Sequence, residues 1–476
     1  MRPGFALLWL LFPLALGCEK ESAIPIRGTS MLQAFYGGTR LERCPTCLFE
    51  GPVPDDGLRM CVNCGWIFER AASDDPNSGG KIRTDFVILD RHAEPKVGDV
   101  VAARFPGTRD FVVKRVAATP GDVLEYRKGK YFLNGRRVVR PLKTLEEQLI
   151  LTHDDRFRPF GVSRWASSGA AGALRPTLGG WEISLDPDES ASLVYHHAQG
   201  RRLPDGQGGL KTTFAPSPVV NHRFENGTQM RADWTHAADE FFLSFHVEHL
   251  EGSGAVLVLI PAGNEIGAFC FLLDNRKSPN GGNLRSFPLK NMDKNGKFRV
   301  AEYCLGTKLP IVSEGVKIST MDGVLRVWRG DKLLEEAPLR VDGELAPLET
   351  QAELSETEEE KLTKMRDATN VAEIHFLGEI RGRISALALW RGEYYGNFLA
   401  NSNYFSHFDE KVLAFLPTSG YYLIGDNFLL SDDSRRRGAV PKENILGVVR
   451  KVHVKHESSL PLERRNRPSY LRYVHE

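Results

Sequence analysis

Apolar positions between residues 82 and 140 occur in short runs separated by turn residues. Valine and other β-branched residues dominate these runs, which favours strands over helices. The runs are residues 86–89, 100–103, 111–113, 130–133 and 136–139. Asn134-Gly135 separates the last two runs, and this dipeptide between apolar segments is a strong signal for a β-hairpin. We therefore expect antiparallel β-structure in this part of the chain.

A second set of strands is predicted between about residues 178 and 395, after a polar stretch at 146–175 that we expect to be irregular. The predicted strands are residues 181–185, 241–247, 255–260, 268–273, 317–320, 324–328, 372–377 and 384–390. Asp322-Gly323 marks a hairpin between two of them. Regularly spaced short strands predict an antiparallel β-sandwich, and their pattern along the sequence resembles the concanavalin or laminin-G type of jelly roll. The fold class is thus predicted to be mainly β.

An apolar run at residues 5–17 follows Met1-Arg2 and ends at Cys18. It is short for a membrane-spanning helix, which needs about 20 apolar residues, and better suits the apolar region of a secretory signal. Three alternatives are open: an uncleaved anchor, a cleaved signal, or a lipoprotein signal with Cys18 acylated. Each of them places the mature chain on the outer side of a membrane.

The charge balance adds little to this picture. The chain has 476 residues, enough for two to four domains, with 62 basic and 61 acidic residues and a net charge of +1. The chain has no excess of basic residues that would indicate a nucleic-acid partner. It also has no excess of acidic residues that would indicate a disordered tail.

Four cysteines form two CxxC pairs in the segment 41–70. They are Cys44, Cys47, Cys61 and Cys64. Each CxxC turn can present two sulfurs to one point, and zinc prefers four soft ligands at tetrahedral angles. This spacing favours a structural zinc ribbon. Two disulfides are the competing interpretation, because an exported chain meets an oxidising environment.

Lys114 ends the apolar run at 111–113. By itself it is most simply a solvated strand end. If it is buried instead, loss of water disfavours the ammonium and lowers its pKa, which would make the amine a candidate base. Ser30 follows Gly28-Thr29 near the N-terminus, where a serine is most often a turn residue.

Three separated segments together resemble the type I signal peptidases, membrane-bound proteases with a serine–lysine dyad. They are GTSM at Ser30, the segment KRVAATPGD that begins at Lys114, and GDNFLLSDDSRRRGAV from Gly425. The resemblance covers about residues 19–40, 82–140 and 405–452, and leaves the cysteine unit and the β-sandwich as insertions.

The resemblance implies a role for each matching residue. Ser30 would be the nucleophile and Lys114 the general base, kept neutral by burial. Ser431 would orient the lysine amine, and Asp433 and Arg435 would pair to hold their loop near the site. The backbone N–H of Ser30 would contribute to an oxyanion hole, with substrate bound as an added β-strand.

Two departures from the family pattern affect the serine loop. Gln33 and Ala34 replace the usual proline and threonine after the serine, and Gly28 stands where some members supply a side-chain oxyanion donor. A less rigid serine loop or an altered substrate preference is expected.

The predicted organisation is a signal-peptidase-like core with two insertions. The segments are a signal or anchor at 1–18, a core at 19–40, 82–145 and 396–455, a zinc-ribbon-like insertion at 41–70, a β-sandwich insertion at 146–395 and a charged tail at 456–476. The predicted activity is removal of signal peptides from exported preproteins at a cell membrane, with no catalytic cofactor. The alternatives are a catalytically weak or inactive exported binding protein whose β-sandwich recognises a polysaccharide or protein, and a lipoprotein-anchored structural protein.

Overall fold

The computed structural model describes most of the chain between Ala23 and Glu457. The described residues are 23–32, 34–53, 59–69, 81–127, 130–206, 209–217, 219, 238–262, 265–273, 300–308, 312–339, 370–393, 411–415, 420–428 and 431–457. The apolar run at 5–17, Cys18, Gln33 and most of the charged tail lie outside them. No helix within these ranges is long and apolar enough to cross a membrane.

A nine-stranded sheet forms the first part of the structure. Its strands are β1 (Ile24–Pro25), β2 (Gly37–Arg43), β3 (Glu50–Pro52), β6 (Lys81–Asp90), β7 (Val100–Ala103), β8 (Val112–Ala118), β29 (Gly420–Ile424), β30 (Val440–Pro441) and β31 (Ile445–Glu457). The strand order is β3-β2-β6-β31-β7-β8-β29-β30, with β1 beside β6. Strands from the N-terminal and C-terminal parts of the described chain therefore lie in one sheet, with β31 between β6 and β7.

A smaller four-stranded sheet extends from β8. Its strands are β9 (Val123–Arg127), β10 (Lys130–Leu133), β11 (Arg136–Arg137) and β28 (Lys411–Phe415), in the order β11-β10-β9-β28. The Asn134-Gly135 hairpin is confirmed: both residues have positive φ, 54° and 74°, as a type I′ turn requires. A short helix, α2 (Ser434–Arg437), lies between β29 and β30.

Two further sheets face each other as a β-sandwich. One contains β12 (Ile150–Asp154), β14 (Leu174–Thr177), β15 (Gly180–Leu185), β19 (Phe241–Gly252), β23 (Val312–Ser319), β24 (Val324–Arg329), β25 (Lys332–Pro338) and β27 (Ile380–Arg391). The other contains β13 (Trp165–Gly169), β16 (Ser190–His196), β20 (Ala255–Ala262), β21 (Glu265–Leu272), β22 (Val300–Lys308) and β26 (Asn370–Leu377). Inward residues of both sheets, among them Leu243, Val258 and Phe376, form one apolar core. The mainly β fold is confirmed.

The expectation of irregular structure at residues 146–175 is wrong. Helix α1 (Leu142–Gln148) leads into β12, and β13 and β14 follow within the same stretch. All five residues of β12 are buried, although the sequence there, ILTHD, shows little apolar alternation. The strand forms because it pairs with β27, a partner more than two hundred residues away, and local patterning does not record such pairing.

The cysteine unit packs against the β-sandwich. It contains a two-stranded sheet of β4 (Arg59–Met60) and β5 (Ile67–Phe68), and the hairpin of β17 (Ala198–Pro204) and β18 (Leu210–Pro216) lies against it. Gly200 N donates a hydrogen bond to Gly65 O at 2.9 Å across this contact. Phe49 and Phe157 meet edge to face, with ring centroids 5.2 Å apart. The four cysteines share an apolar cluster with sandwich residues such as Trp328 and Trp390.

The two cysteine turns have the same backbone course. Cys44 N bonds to Phe49 O and Cys61 N bonds to Trp66 O, and the residue four places after each first cysteine has positive φ. In the second turn that residue is Gly65, at 68°, whereas in the first it is Leu48, at 64°. A leucine in the left-handed region is strained, and Leu48 is 59% exposed, so its side chain gains little from packing.

We expect Leu48→Gly to stabilise the protein by about 0.5–1 kcal/mol, because relief of the left-handed strain exceeds the entropy that glycine loses on folding. Denaturant unfolding would measure this change. Leu48→Ala is the matched control, since it removes the same exposed side chain but keeps a Cβ at positive φ. Equal unfolding free energies for the two variants would contradict the explanation.

Candidate active site

The structure brings Ser30 and Lys114 into contact. Lys114 lies on β8, its side chain is 2% exposed, and its Nζ is 2.6 Å from Ser30 Oγ. Ser30 is half-buried and lies in a turn closed by a hydrogen bond from Leu32 N to Thr29 O. Its neighbour Met31 packs in an apolar cluster with Ile26 and other residues, which anchors the turn to the nine-stranded sheet.

Burial determines the acidity of the lysine. It lowers the pKa of Lys114 to about 8, although the charges of Asp433 and Asp432 act in the opposite direction. A substantial fraction of the amine is therefore neutral at mildly alkaline pH. In its ammonium form Nζ donates to Ser30 Oγ, and in its neutral form it can accept the hydroxyl proton. The pair therefore has the arrangement of a nucleophile with its base.

The segment Gly425-Asp426-Asn427 holds the serine turn from the other side. Asn427 N donates to Ser30 O at 3.0 Å, and Asn427 Nδ2 donates to Thr29 O at 3.1 Å. A side chain at Gly425 would collide with both the Ser30 carbonyl oxygen and Ser431 Oγ, so this close approach requires glycine. The sequence shows these residues as part of a motif, but their task in binding the serine turn is visible only in the structure.

Asp433 and Arg435 form a bidentate ion pair beside the site. Arg435 Nε and Nη2 lie 2.8 Å from the two carboxylate oxygens of Asp433, which also accept hydrogen bonds from Gly425 N and Arg435 N. Burial alone would raise the pKa of Asp433, but the bonds and charge of Arg435 hold it below its usual value. The pair fixes the segment that leads into α2.

Ser431 lies beside Gly425 but does not bond to the lysine in this conformation. Ser431 Oγ is buried, and its interaction in this conformation is with the carboxylate of Asp433, whose pKa it helps to lower. The expected bond between Ser431 and the amine therefore stays a prediction.

A second buried ion pair, not assigned from the sequence, lies next to the lysine. Arg115 Nε and Nη2 donate to the carboxylate oxygens of Asp426 at 2.8 and 2.7 Å, and both side chains are almost fully buried. Arg115 Nη1 also donates to Gly98 O at 2.7 Å. These bonds fix β8 and β29 relative to each other, at the end where Lys114 meets the serine turn.

The four cysteines converge on one point. Their sulfurs all lie within 4.8 Å of one another, with Cys44 Sγ to Cys64 Sγ and Cys47 Sγ to Cys61 Sγ both at 3.6 Å. Zinc–sulfur bonds of about 2.3 Å place tetrahedral ligands about 3.8 Å apart, so the cluster fits a structural zinc ion. None of the four forms a disulfide. Asn63 ties the cluster to the sandwich, because its Nδ2 donates to Phe157 O at 2.8 Å and lies 3.7 Å from Cys47 Sγ.

A family model described as signal peptidase, peptidase S26 matches residues 73–166 and 334–454 of this chain. These segments contain Lys114 and the Ser431, Asp433 and Arg435 loop, and they do not contain Ser30. The match supports a signal-peptidase-type serine protease at the level of the family. No curated protein matches the chain.

Several solved structures are similar to this chain over about half its length. The VIP36 exoplasmic/lumenal domain in its Ca²⁺/Man-bound form is 10% identical, covers 54% of this chain and 91% of its own, and has a TM-score of 0.25. The carbohydrate recognition domain of Emp46p in its metal-free form is 8% identical, covers 48% and 88%, and has a TM-score of 0.22. Scores this low assign no ligand or activity to the present chain.

Burial of the Lys114 ammonium should cost stability, so Lys114→Met should stabilise the protein. The pKa falls from 10.5 to about 8 on folding, a cost of roughly 3 kcal/mol wherever the amine is charged in both states. Between about pH 8 and pH 10.5 the unfolded chain holds a proton on this amine that the folded chain has released. Wild-type stability therefore rises with pH in this interval. The gain from Lys114→Met should therefore be largest below pH 8 and shrink towards pH 10.5. Thermal unfolding at several pH values would measure it, and a gain independent of pH would contradict this account.

The purified chain should carry one zinc ion, held by the four thiolates, that stabilises the cysteine unit. Metal analysis should find about one zinc per chain in wild type and none in Cys61→Ser, which keeps a similar side-chain volume. A chelator strong enough to remove the ion should lower the melting temperature of wild type but not of Cys61→Ser. A metal-free wild type that is unaffected by chelator would exclude zinc.

Proposed function

We propose that this protein is a membrane-attached serine endopeptidase that removes signal peptides from exported preproteins. Ser30 is the nucleophile and Lys114 the general base. The observation that carries this proposal is the contact between a buried amine with a pKa near 8 and a serine hydroxyl 2.6 Å away. A lysine in this position needs no histidine, because its neutral form can take the hydroxyl proton as the serine attacks the scissile carbonyl.

The supporting residues have distinct tasks in this proposal. Asp433 and Arg435 hold the loop of Ser431 beside the amine, and Ser431 orients the amine once substrate excludes water. The backbone N–H of Ser30 stabilises the oxyanion of the tetrahedral intermediate. Asn427 holds the serine turn in place through the carbonyl groups of Thr29 and Ser30.

The edge of β8 suits an extended substrate. Its ladder with β29 ends at the pair Arg115 and Ile424, while β7 pairs with residues 112–115 on the opposite side. Among the described residues, no strand pairs with Lys114 or with the β8 residues before it on the side of β8 where β29 lies. A peptide added at this edge would form backbone hydrogen bonds with β8 and run past Lys114 and Ser30. This supports recognition of an extended cleavage site by strand addition.

The position of the enzyme in the cell follows from the same proposal. Residues 1–18 would attach the chain to a cell membrane as anchor or acylated lipoprotein segment, with the catalytic residues on the outer side. Signal peptides emerge from the membrane at that surface, so attachment raises their effective concentration at the site. The zinc site has no part in the chemistry and serves to join the core to the β-sandwich.

Cleavage of a purified preprotein tests the proposal. Wild type should release the signal peptide, whereas Ser30→Ala and Lys114→Met should lower the rate by about 10³-fold or more, because each removes one member of the dyad. Ser167→Ala and Lys96→Ala, at exposed positions, are the matched controls and should retain full activity.

The pH profile gives the same test a second readout. Below pH 8 the rate constant kcat/KM should rise about tenfold per pH unit, because only the neutral amine acts as base, and it should level off above about pH 8. Cleavage that persists in Ser30→Ala would exclude this nucleophile. Absence of cleavage by wild type would favour an exported binding protein built on the same scaffold.

A further inference from the structure

A chain of buried polar groups leads from the lysine strand into the inserted β-sandwich. It starts at the ion pair of Arg115 and Asp426, one residue after Lys114 and one before Asn427. Gln148, the last residue of α1, donates from Nε2 to Asp426 Oδ1 at 2.9 Å and is 4% exposed. Its neighbour Glu147 accepts a hydrogen bond from Arg115 Nη2 at 3.0 Å. Helix α1 therefore contacts both members of this pair.

The chain continues from Gln148 to the sandwich. Arg140 Nη1 donates to Gln148 Oε1 at 3.0 Å, and Arg140 Nε and Nη2 donate to Asp322 Oδ1 at 2.9 and 2.6 Å. Asp322 lies in the turn between β23 and β24, and its Oδ2 accepts a bond from Arg326 Nη2 at 3.2 Å. Arg326 Nη1 closes the network by donating to Arg140 O at 2.6 Å.

The chemistry of Gln148 is specific to this position. Its amide must donate to a carboxylate on one side and accept from a guanidinium on the other, which neither a glutamate nor an apolar side chain can do. Every group in the chain except Glu147 is buried, and a buried charge that loses one of its partners is costly. The arrangement of Arg115 and Asp426 is thus most stable when α1 and the β23–β24 turn are docked.

We propose that Gln148 is a positioning residue for the peptidase reaction, through which the docked β-sandwich fixes the strand that carries Lys114 and the segment that holds Ser30. The inserted sandwich is then part of the active-site framework and not only an attached binding module. The part of this inference that is tested by kcat rests on the proposed function. The part that is tested by unfolding rests on the buried contacts alone.

Substitutions at Gln148 should change turnover more than substrate binding. Gln148→Ala should lower kcat about tenfold with KM nearly unchanged, because it loosens Asp426 and Arg115 without touching the substrate edge. Gln148→Glu places a second carboxylate beside Asp426. Lys114 already senses the charges of Asp433, Asp432, Arg435 and Asp426, so the added negative charge should move the midpoint of its pH profile upward.

Val258→Ala is the control for loss of sandwich stability. Val258 is fully buried in the β-sandwich core, in the sheet that does not contain the β23–β24 turn, and it belongs to no part of the polar chain. It should lower the melting temperature while leaving kcat and the pH midpoint unchanged. If Gln148→Ala and Gln148→Glu keep wild-type kcat and pH midpoint, or change them no more than Val258→Ala does, the positioning role is overturned.

A double-mutant cycle on unfolding separates this inference from the proposed function. Gln148→Ala and Asp426→Asn, measured singly and together by denaturant unfolding, should be coupled, so that the double variant loses less stability than the sum of the two. Additive losses would overturn the link between sandwich and core, whatever the activity. If the two substitutions are clearly coupled but the wild type cleaves no preprotein, the proposed function is overturned and the link between sandwich and core remains.

Discussion

The structure around Ser30 depends on the removal of one amine from water. Lys114 is 2% exposed, and this burial lowers its pKa to about 8. An ammonium group in such a place is unfavourable, and nearby carboxylates offset only part of that cost. The structure places the hydroxyl oxygen of Ser30 2.6 Å from Nζ. The chemistry proposed for this protein follows from that balance of burial and charge.

Holding the amine against the serine requires segments that are distant along the chain. Ser30 precedes Lys114 by 84 residues, and Asp426 follows Arg115 by 311. The nine-stranded sheet solves this by placing β31 among the N-terminal strands and β29 beside β8. Gly425 and Asn427 then clamp the serine turn from the C-terminal side, where a larger residue at 425 would not fit.

The cysteine unit and the β-sandwich are held in this structure by different physical means. The cysteine unit packs in an apolar cluster with the sandwich, and its four sulfurs are arranged as a zinc ion would require. The polar chain through Gln148 and Arg140 is buried and charged instead. Apolar packing contributes stability without direction, whereas hydrogen bonds between buried charges fix orientation. Together they attach the sandwich to the strands that carry Lys114 and hold the serine turn.

Sequence alone determined the features that depend on local chemistry. Strand periodicity and turn residues predicted the mainly β fold and the Asn134-Gly135 hairpin, and paired CxxC spacing predicted a four-thiolate cluster. Tertiary structure decided what depends on distant partners: the burial of Lys114, the strand at β12, and the tasks of Asp426, Asn427 and Gln148. The physical reason is that burial and strand pairing are set by neighbours in space. A lysine at the end of an apolar run is, as sequence, most simply a solvated strand end, and only its neighbours in space show that it is buried.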